Sequence, residues 1–291
     1  MALFNLQLPN GRPFRPPLQV QQRQEESTVF HRVRQGNLQY SVADSLAGAS
    51  HGFTTRLGGV STGHLASLNL GHHRGDDPVS VYENYRLLGQ ALGFTPEDTV
   101  FPVQRHTDII RVVTRENRGE GLFRETPTIC DGQITDEPGV ALVAFGADCT
   151  PILLFDPVRR AVGAVHAGWR GTAAGIAKKA VEAMTAAYGC RPGDIRAAIG
   201  PCIGQCCFET DGDVPEAMMN ALGSEAEAFI ARRGAKYHVD LKSINAWWLS
   251  KAGVETVDVS PDCTACDTAT YWSHRRVGDH RGSQAGVIIL K

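Results

Sequence analysis

Residues 147–157 read A-D-C-T-P-I-L-L-F-D-P, and residues 161–172 read A-V-G-A-V-H-A-G-W-R-G-T. The apolar runs at 152–155 and 161–165 are bounded by Pro, Asp and Gly, the pattern of strands. The link D-P-V-R-R over 156–160 is short and turn-forming, so the two runs are expected to pair as an antiparallel hairpin. Cys149 opens the first strand and His166, 17 positions on, closes the second. In such a hairpin the start of one strand lies beside the end of the other, which brings a thiol and an imidazole to one edge of a sheet. Alone, the pair reads equally as a buried small hydrophobe and a hydrogen-bonded core histidine.

The flanking residues favour chemistry. A-G-W-R-G-T (167–172) is polar and glycine-rich, with a helix expected over 172–188. Gly168 and Gly171 let backbone approach a ligand, the start of the helix offers free N–H groups to an anion, and Arg170 adds a cationic fork for carboxylate or phosphate.

Outward from the hairpin, runs at 100–103, 109–113, 140–145, 195–199 and 286–290 also read as strands. Segments 79–92, 215–222, 225–232 and 241–251 read as helices, the first capped by Asp77 or a neighbour and stopped by Gly93. Strands and helices do not alternate strictly, so the expected fold class is α+β, a mixed-sheet sandwich in one domain, rather than a doubly wound parallel sheet. Residues 1–27, rich in Pro, Gln and Arg, are expected to be a tail or docked arm, with the globular domain over 28–291.

Composition narrows the function. The 291 residues carry a net charge of -2, and no sequence-wide basic field points to nucleic acid or an anionic membrane surface. No apolar run approaches the ~20 residues of a membrane span, and the N-terminus lacks the pattern of a secretory signal. The expected location is the cytoplasm, where the eight cysteines are thiols or metal ligands rather than disulfides. Cys263 and Cys266 form a lone C-x-x-C unit, a weak signal without a second pair, and Cys202, Cys206 and Cys207 read as packing thiols.

Other strings supply further groups. H-G-F-T-T-R-L-G-G-V-S-T-G (51–63) is a loop with Arg56 that can hold phosphate through backbone N–H groups, or be a plain surface turn. H-R-R (274–276) offers Arg275 and Arg276 as a second phosphate contact, or a solvated basic face. Alone, His106 in V-Q-R-H-T-D (103–108) reads as a solvated turn residue.

Together these strings resemble one family. T-T-R-L-G-G-V-S, S-L-N-L-G-H-H-R-G-D, Q-R-H, D-G-Q-I-T, A-D-C-T-P, A-V-H-A-G-W-R-G-T, I-G-P-C-I-G and the final H-R-R with G-V-I-I-L are similar to the bacterial multicopper polyphenol oxidase family, also described as multifunctional purine nucleoside phosphorylases. The match runs from about residue 51 to residue 290. The resemblance implies a layered α/β/β/α sandwich and a metal held by His106, Cys149 and His166, with Zn2+ expected and Cu2+ the alternative. A His2Cys set with one open position suits catalytic zinc, which activates water near neutral pH; a trigonal His2Cys set can also hold copper. The family's Q-V-H is Gln104-Arg105-His106 here, an exchange that alters the pocket rim rather than a ligand. The segment over 115–128 is longer than usual and is expected to cover or reshape the site.

The implied activity is phosphorolysis of adenosine, inosine, guanosine and S-methyl-5′-thioadenosine, with hydrolytic deamination of adenosine. The partners would be small molecules, a nucleoside and phosphate, with neither nucleic acid nor membrane, in a monomer or homodimer. Arg56, Arg170, Arg275 and Arg276 are candidate phosphate contacts, and Asp148 a candidate acid–base group. The alternatives are copper-dependent phenol oxidation, a metal-free cysteine hydrolase with Cys149 as nucleophile and His166 as base, and a non-catalytic protein with a structural metal. The ten histidines contain no H-x-H unit of the kind a multicopper cluster leans on.

Overall fold

The computed structural model describes residues 29–291; the tail expected over 1–27 lies outside the described residues. Two six-stranded mixed sheets face one another. The first runs Phe30–Gln35, Leu38–Ala43, Ser50–Thr54, Gln284–Ile289, Ala141–Gly146, Thr99–Val100. The second runs Thr256–Val259, Arg196–Ile199, Thr150–Asp156, Ala161–Ala167, Gly132–Thr135, Ile110–Val112.

Alternation along the central strands builds the layers, because successive side chains point to opposite faces. Leu142 and Ala144 meet Leu153, Phe155, Val162 and Ala164 between the sheets. Their neighbours Ala141 and Val143 face outward onto Val81, Tyr85, Leu88 and Leu92 of the helix Pro78–Leu92. On the second sheet, Ile152, Leu154 and Val165 face outward onto Ile176, Ala180, Met184 and Leu249, from the helices Ile176–Tyr188 and Leu241–Lys251. The order is therefore helix, sheet, sheet, helix, in one domain, as expected. A small third sheet (Glu209–Thr210, Lys236–Val239, Ile230–Arg233) packs with the helix Asp213–Leu222 as an annex.

The hairpin has the expected register. Thr150 pairs with Ala167, Pro151 with His166 and Asp156 with Ala161. The helix Pro78–Leu92 starts as read, with the Asp77 carboxylate accepting from the Val79 and Ser80 backbone N–H groups and Gly93 closing it at φ 82°.

Three expectations change. The run at 100–103 pairs as a strand over Thr99–Val100 alone, with Val103 in an isolated bridge to Ile129. The helix expected over 172–188 is two helices, Trp169–Ala173 and Ile176–Tyr188, broken where Gly175 adopts φ 72°. Thr172 thus lies inside a five-residue helix capped by Gly168, and the expected anion-binding helix start at Thr172 does not exist. The helix expected over 225–232 is a 3-10 segment, Gly223–Phe229, followed by the strand Ile230–Arg233. Its Ile-Ala-Arg-Arg pairs with Lys236–Val239, and that pairing prevails over local helix preference.

Candidate metal and anion site

Cys149 sits just before Thr150–Asp156 and His166 ends Ala161–Ala167, so the hairpin register sets them side by side. His106 arrives from the turn that precedes Ile110–Val112. Ligand atoms of the three lie within 4.8 Å of one another, with Cys149 Sγ 3.6 Å from His106 Nε2. His166 is buried, Cys149 partly buried and His106 exposed, so the cluster opens to solvent on the His106 side.

One buried carboxylate assembles this arrangement. Asp131, just before the strand Gly132–Thr135, accepts from the backbone N–H groups of Arg105 (3.2 Å), His106 (3.0 Å) and Thr107 (2.7 Å) and from the Thr107 hydroxyl (2.6 Å). It also accepts a hydrogen bond from His166 Nδ1 at 2.8 Å. That bond fixes the imidazole tautomer and leaves Nε2 free for a metal, the usual second partner of a ligating histidine. The same clasp holds His106 at φ 60°, a left-handed conformation that costs about 1–3 kcal/mol unless its surroundings dictate it.

Burial pushes the Asp131 carboxyl up, but the hydrogen bonds from His166 and Thr107 prevail and keep it ionised far below the ordinary range. Desolvation opposes the Cys149 thiolate, yet the His166 charge and the His106 hydrogen bond bring the thiol down to about 6. Desolvation likewise opposes the His166 cation, and Cys149 with Asp131 raises it to about 9. Without metal the site is thus a thiolate–imidazolium pair, and a metal must displace the Nε2 proton. One thiolate and two imidazoles, close enough to share an ion and open on one side, fit the donor set of a catalytic zinc site.

Gly168 lets the cluster close. A Cβ there would overlap His106 Cδ2 and come within 3.4 Å of Cys149 Sγ.

The cluster lines a cleft of ≈ 1080 Å³. His72, His73, Arg74, Arg105, Arg281 and the loop over 121–126 form much of the remaining wall. The loop belongs to the long segment expected to reshape the site, and exposed Arg105 stands on the rim where the family's Q-V-H has Val. Arg281 is 9% exposed and its Nε has no hydrogen-bond partner. Burial and the neighbouring Arg74 charge pull its guanidinium down to about 10. Arg74 and Arg281 both line the cleft, with Arg281 Nη1 donating to the Gly282 carbonyl, and give that wall the positive charge an anion needs. Burial and His73 hold His72 near 4, so it is a neutral ring at neutral pH, packed against Phe101 and Phe145.

The four arginines read from the sequence lie outside the lining of this cleft. Arg56 stacks 3.8 Å over the Trp272 ring and bonds the Ala66 and Thr268 carbonyls. Arg170 lies over Trp169 at 4.2 Å. Arg275 donates to the Cys207 carbonyl and Arg276 to that of Ala265. Asp148, at φ 88°, accepts from the Thr264 and Ser273 hydroxyls and the Arg275 backbone N–H. Its carboxylate ties residues 264, 273 and 275 to the residue next to Cys149.

Sequence reasoning passed over Asp131, Arg74 and Arg281. Asp131 stands in the quoted D-G-Q-I-T string, where an acidic residue entering a buried strand is the available signal. Arg281 had none: it reaches the cleft because Gln284 pairs with Gly146, three positions before Cys149.

Residues 50–291 match the model of the family described as multi-copper polyphenol oxidoreductase laccase. The chain belongs to that family. It is 40% identical over 253 residues to the purine nucleoside phosphorylase YlmD of Geobacillus stearothermophilus, covering 85% of this chain and 92% of that protein. It is also 40% identical over 240 residues to a purine nucleoside phosphorylase of Deinococcus radiodurans, covering 82% and 88%. The crystal structure of Geobacillus YlmD superposes with a TM-score of 0.85 at 38% identity, over 91% of this chain and 99% of that one. Among the described residues no helix is long and apolar enough to cross a membrane.

Proposed function

We propose that the cleft binds a purine nucleoside together with inorganic phosphate and transfers the ribosyl group to phosphate. The N-glycosidic bond breaks, a C1′–O bond to phosphate forms, and the base leaves with a proton. The observation that carries this proposal is the sharing of one cleft by the His106–Cys149–His166 cluster and the Arg74–Arg281 pair. The names of the relatives support it.

Arg281 and Arg74, both lining the cleft, would supply the positive charge that holds phosphate. Phe123, half exposed on the loop that lines the cleft, would cover a face of the base. Asp131 would hold the proton of His166 on Nδ1 and keep Nε2 directed at the cleft. The resident metal of the proposal is Zn2+, held by His106, Cys149 and His166; when bound it supplies Lewis-acid polarisation and activation of water. That chemistry extends the proposal to hydrolytic deamination of adenosine. Adenosine, inosine, guanosine and S-methyl-5′-thioadenosine are the proposed substrates, and the cytoplasm, where thiols stay reduced, the proposed location.

Among the described residues, the one cluster of possible ligands that contains histidine holds two of them, a set that supports a single zinc over a multicopper centre. The test is incubation with adenosine and phosphate, followed chromatographically for adenine, ribose 1-phosphate and inosine, with Cys149→Ala as control and metal analysis in parallel. Adenine and ribose 1-phosphate that form only with phosphate, and inosine that forms without it, are expected, all of them lost in the control. No product with fully metallated protein would overturn the proposal, and several coppers per chain with phenol oxidation would put the oxidase in its place.

A further inference from the structure

Four cysteines from two distant stretches converge outside the lining of the cleft. Cys206 and Cys207 sit in G-Q-C-C, and Cys263 and Cys266 in C-T-A-C. Their four sulfurs lie within 4.8 Å of one another. Cys266 Sγ is 3.6 Å from Cys206 Sγ and 3.4 Å from Cys207 Sγ. A tetrahedral metal with Zn–S bonds of about 2.3 Å sets its sulfurs about 3.8 Å apart, so the cluster already has the dimensions of one coordination shell.

The surroundings fit a four-thiolate ion. The Gly204 backbone N–H donates to Cys263 Sγ at 3.1 Å, the kind of outer bond that steadies a ligating sulfur. The Arg276 guanidinium lies 3.6 Å from Cys207 Sγ and would offset the net negative charge of four thiolates around a dication. Gly204 leaves the space, since a Cβ there would come within 3.2 Å of Cys206 Sγ and 3.5 Å of Cys263 Sγ. Cys206 and Cys266 are exposed, which gives an ion a way in.

We propose that Cys206, Cys207, Cys263 and Cys266 form a second, structural metal site that takes Zn2+. Soft thiolates select zinc among common divalent ions, and four protein ligands leave no open position, so the ion performs no catalysis. It fastens the turn over 204–208 to the loop over 261–276. That loop carries Thr264 and Ser273 and the Arg275 backbone N–H, the three groups that hold Asp148 beside Cys149. The second site thereby steadies the first without touching it. The proposal goes beyond the nucleoside reading and does not depend on it.

The test uses the full chain, purified under reduction. Cys149→Ala removes the only thiolate of the cleft site. Loaded with Co2+, this variant is expected to bind about one ion per chain with sulfur-to-metal charge-transfer bands and the intense visible absorption of a tetrahedral site. Zinc should bleach that spectrum stoichiometrically, and Cys263→Ser/Cys266→Ser in the Cys149→Ala background should abolish it. In otherwise wild-type protein the same pair of serines should remove about one zinc and leave the cleft site loaded. The cobalt spectrum of Cys149→Ala decides the matter even if the serine variants fail to fold. Absence of charge-transfer bands with four freely titratable thiols would overturn the proposal. So would disulfides among these cysteines, seen as a loss of two mass units each, in protein purified without oxidant.

Discussion

Asp131→Asn tests the claim that one carboxylate assembles the metal cluster. Asp131 Oδ1 accepts from the His106 N–H and from His166 Nδ1, and Oδ2 from the Arg105 N–H, the Thr107 N–H and the Thr107 hydroxyl. An amide keeps one acceptor and turns the other position into a donor. If the NH2 group takes the Oδ1 position it faces two donors, and if it takes the Oδ2 position it faces three. At least two hydrogen bonds to a charged acceptor are lost in either case, at about 1.5–3 kcal/mol each, or about 3–6 kcal/mol together. Part of that loss destabilises the fold, and part appears when metal binds, because His106 and His166 are no longer held. Outer partners of metal ligands carry about 10–100-fold in affinity, so the second share is about 1.4–2.7 kcal/mol. Competition of wild type and variant against a chromophoric chelator measures affinity, and thermal melting of the metal-free proteins measures the rest. The variant should bind zinc at least about tenfold more weakly and melt lower without metal. An affinity within about twofold of wild type, in a cooperatively folded variant, would refute the assignment of Asp131 as organiser of the site.

Gly168→Ala should leave the fold largely intact yet cost at least about tenfold in metal affinity by the same chelator assay, because the new methyl overlaps the His106 ring. Arg281→Gln should raise KM for phosphate about 10–100-fold, the value of one charge-assisted bond, while zinc content stays at the wild-type level; an unchanged phosphate KM would move the anion elsewhere. Stripping metal with a chelator should lower Tm by about 5–10 °C for each site emptied, relative to protein held at 100-fold excess over Kd, since that excess adds about 2.7 kcal/mol per site, as scanning calorimetry would record. Leu142→Ala, a truncation in the core between the two sheets, should cost about 2–5 kcal/mol in urea unfolding, with the metal affinity of folded protein unchanged.

What local pattern carries was legible in the chain. The hairpin from 147 to 172, the helix Leu241–Lys251, the Asp77 cap and the mixed α+β class all follow from apolar spacing and turn residues that act over short range, while the layering came from the resemblance. The proximity of Cys149 and His166 follows from the same local register, and His106 entered through the resemblance alone. Long-range pairing escaped. Arg74 and Arg281 stand 207 positions apart and meet because the strand Gln284–Ile289 inserts beside Ala141–Gly146, which no local string announces. The four clustered cysteines escaped for the same reason: each pair is weak alone, and Cys207 and Cys263 stand 56 positions apart. The four arginines read from the motifs lie outside the lining of the cleft: Arg56, Arg275 and Arg276 bond backbone carbonyls, and Arg56 and Arg170 lie over indole rings. The helix expected over 172–188 broke because glycine at 175 takes the left-handed turn.

The position of Gln284–Ile289 has a further consequence for how the molecule comes into being. This strand lies between Ser50–Thr54 and Ala141–Gly146, with Gly286 opposite both Phe53 and Ala144. On the ribosome those two neighbours emerge long before the piece that joins them. Until it arrives, each presents a bare edge open to pairing with another nascent chain. Arg281 and Ser283 travel with the late strand, so the cavity wall and the first sheet are completed in the same event. Contacts so distant along the chain are of the kind that slow folding.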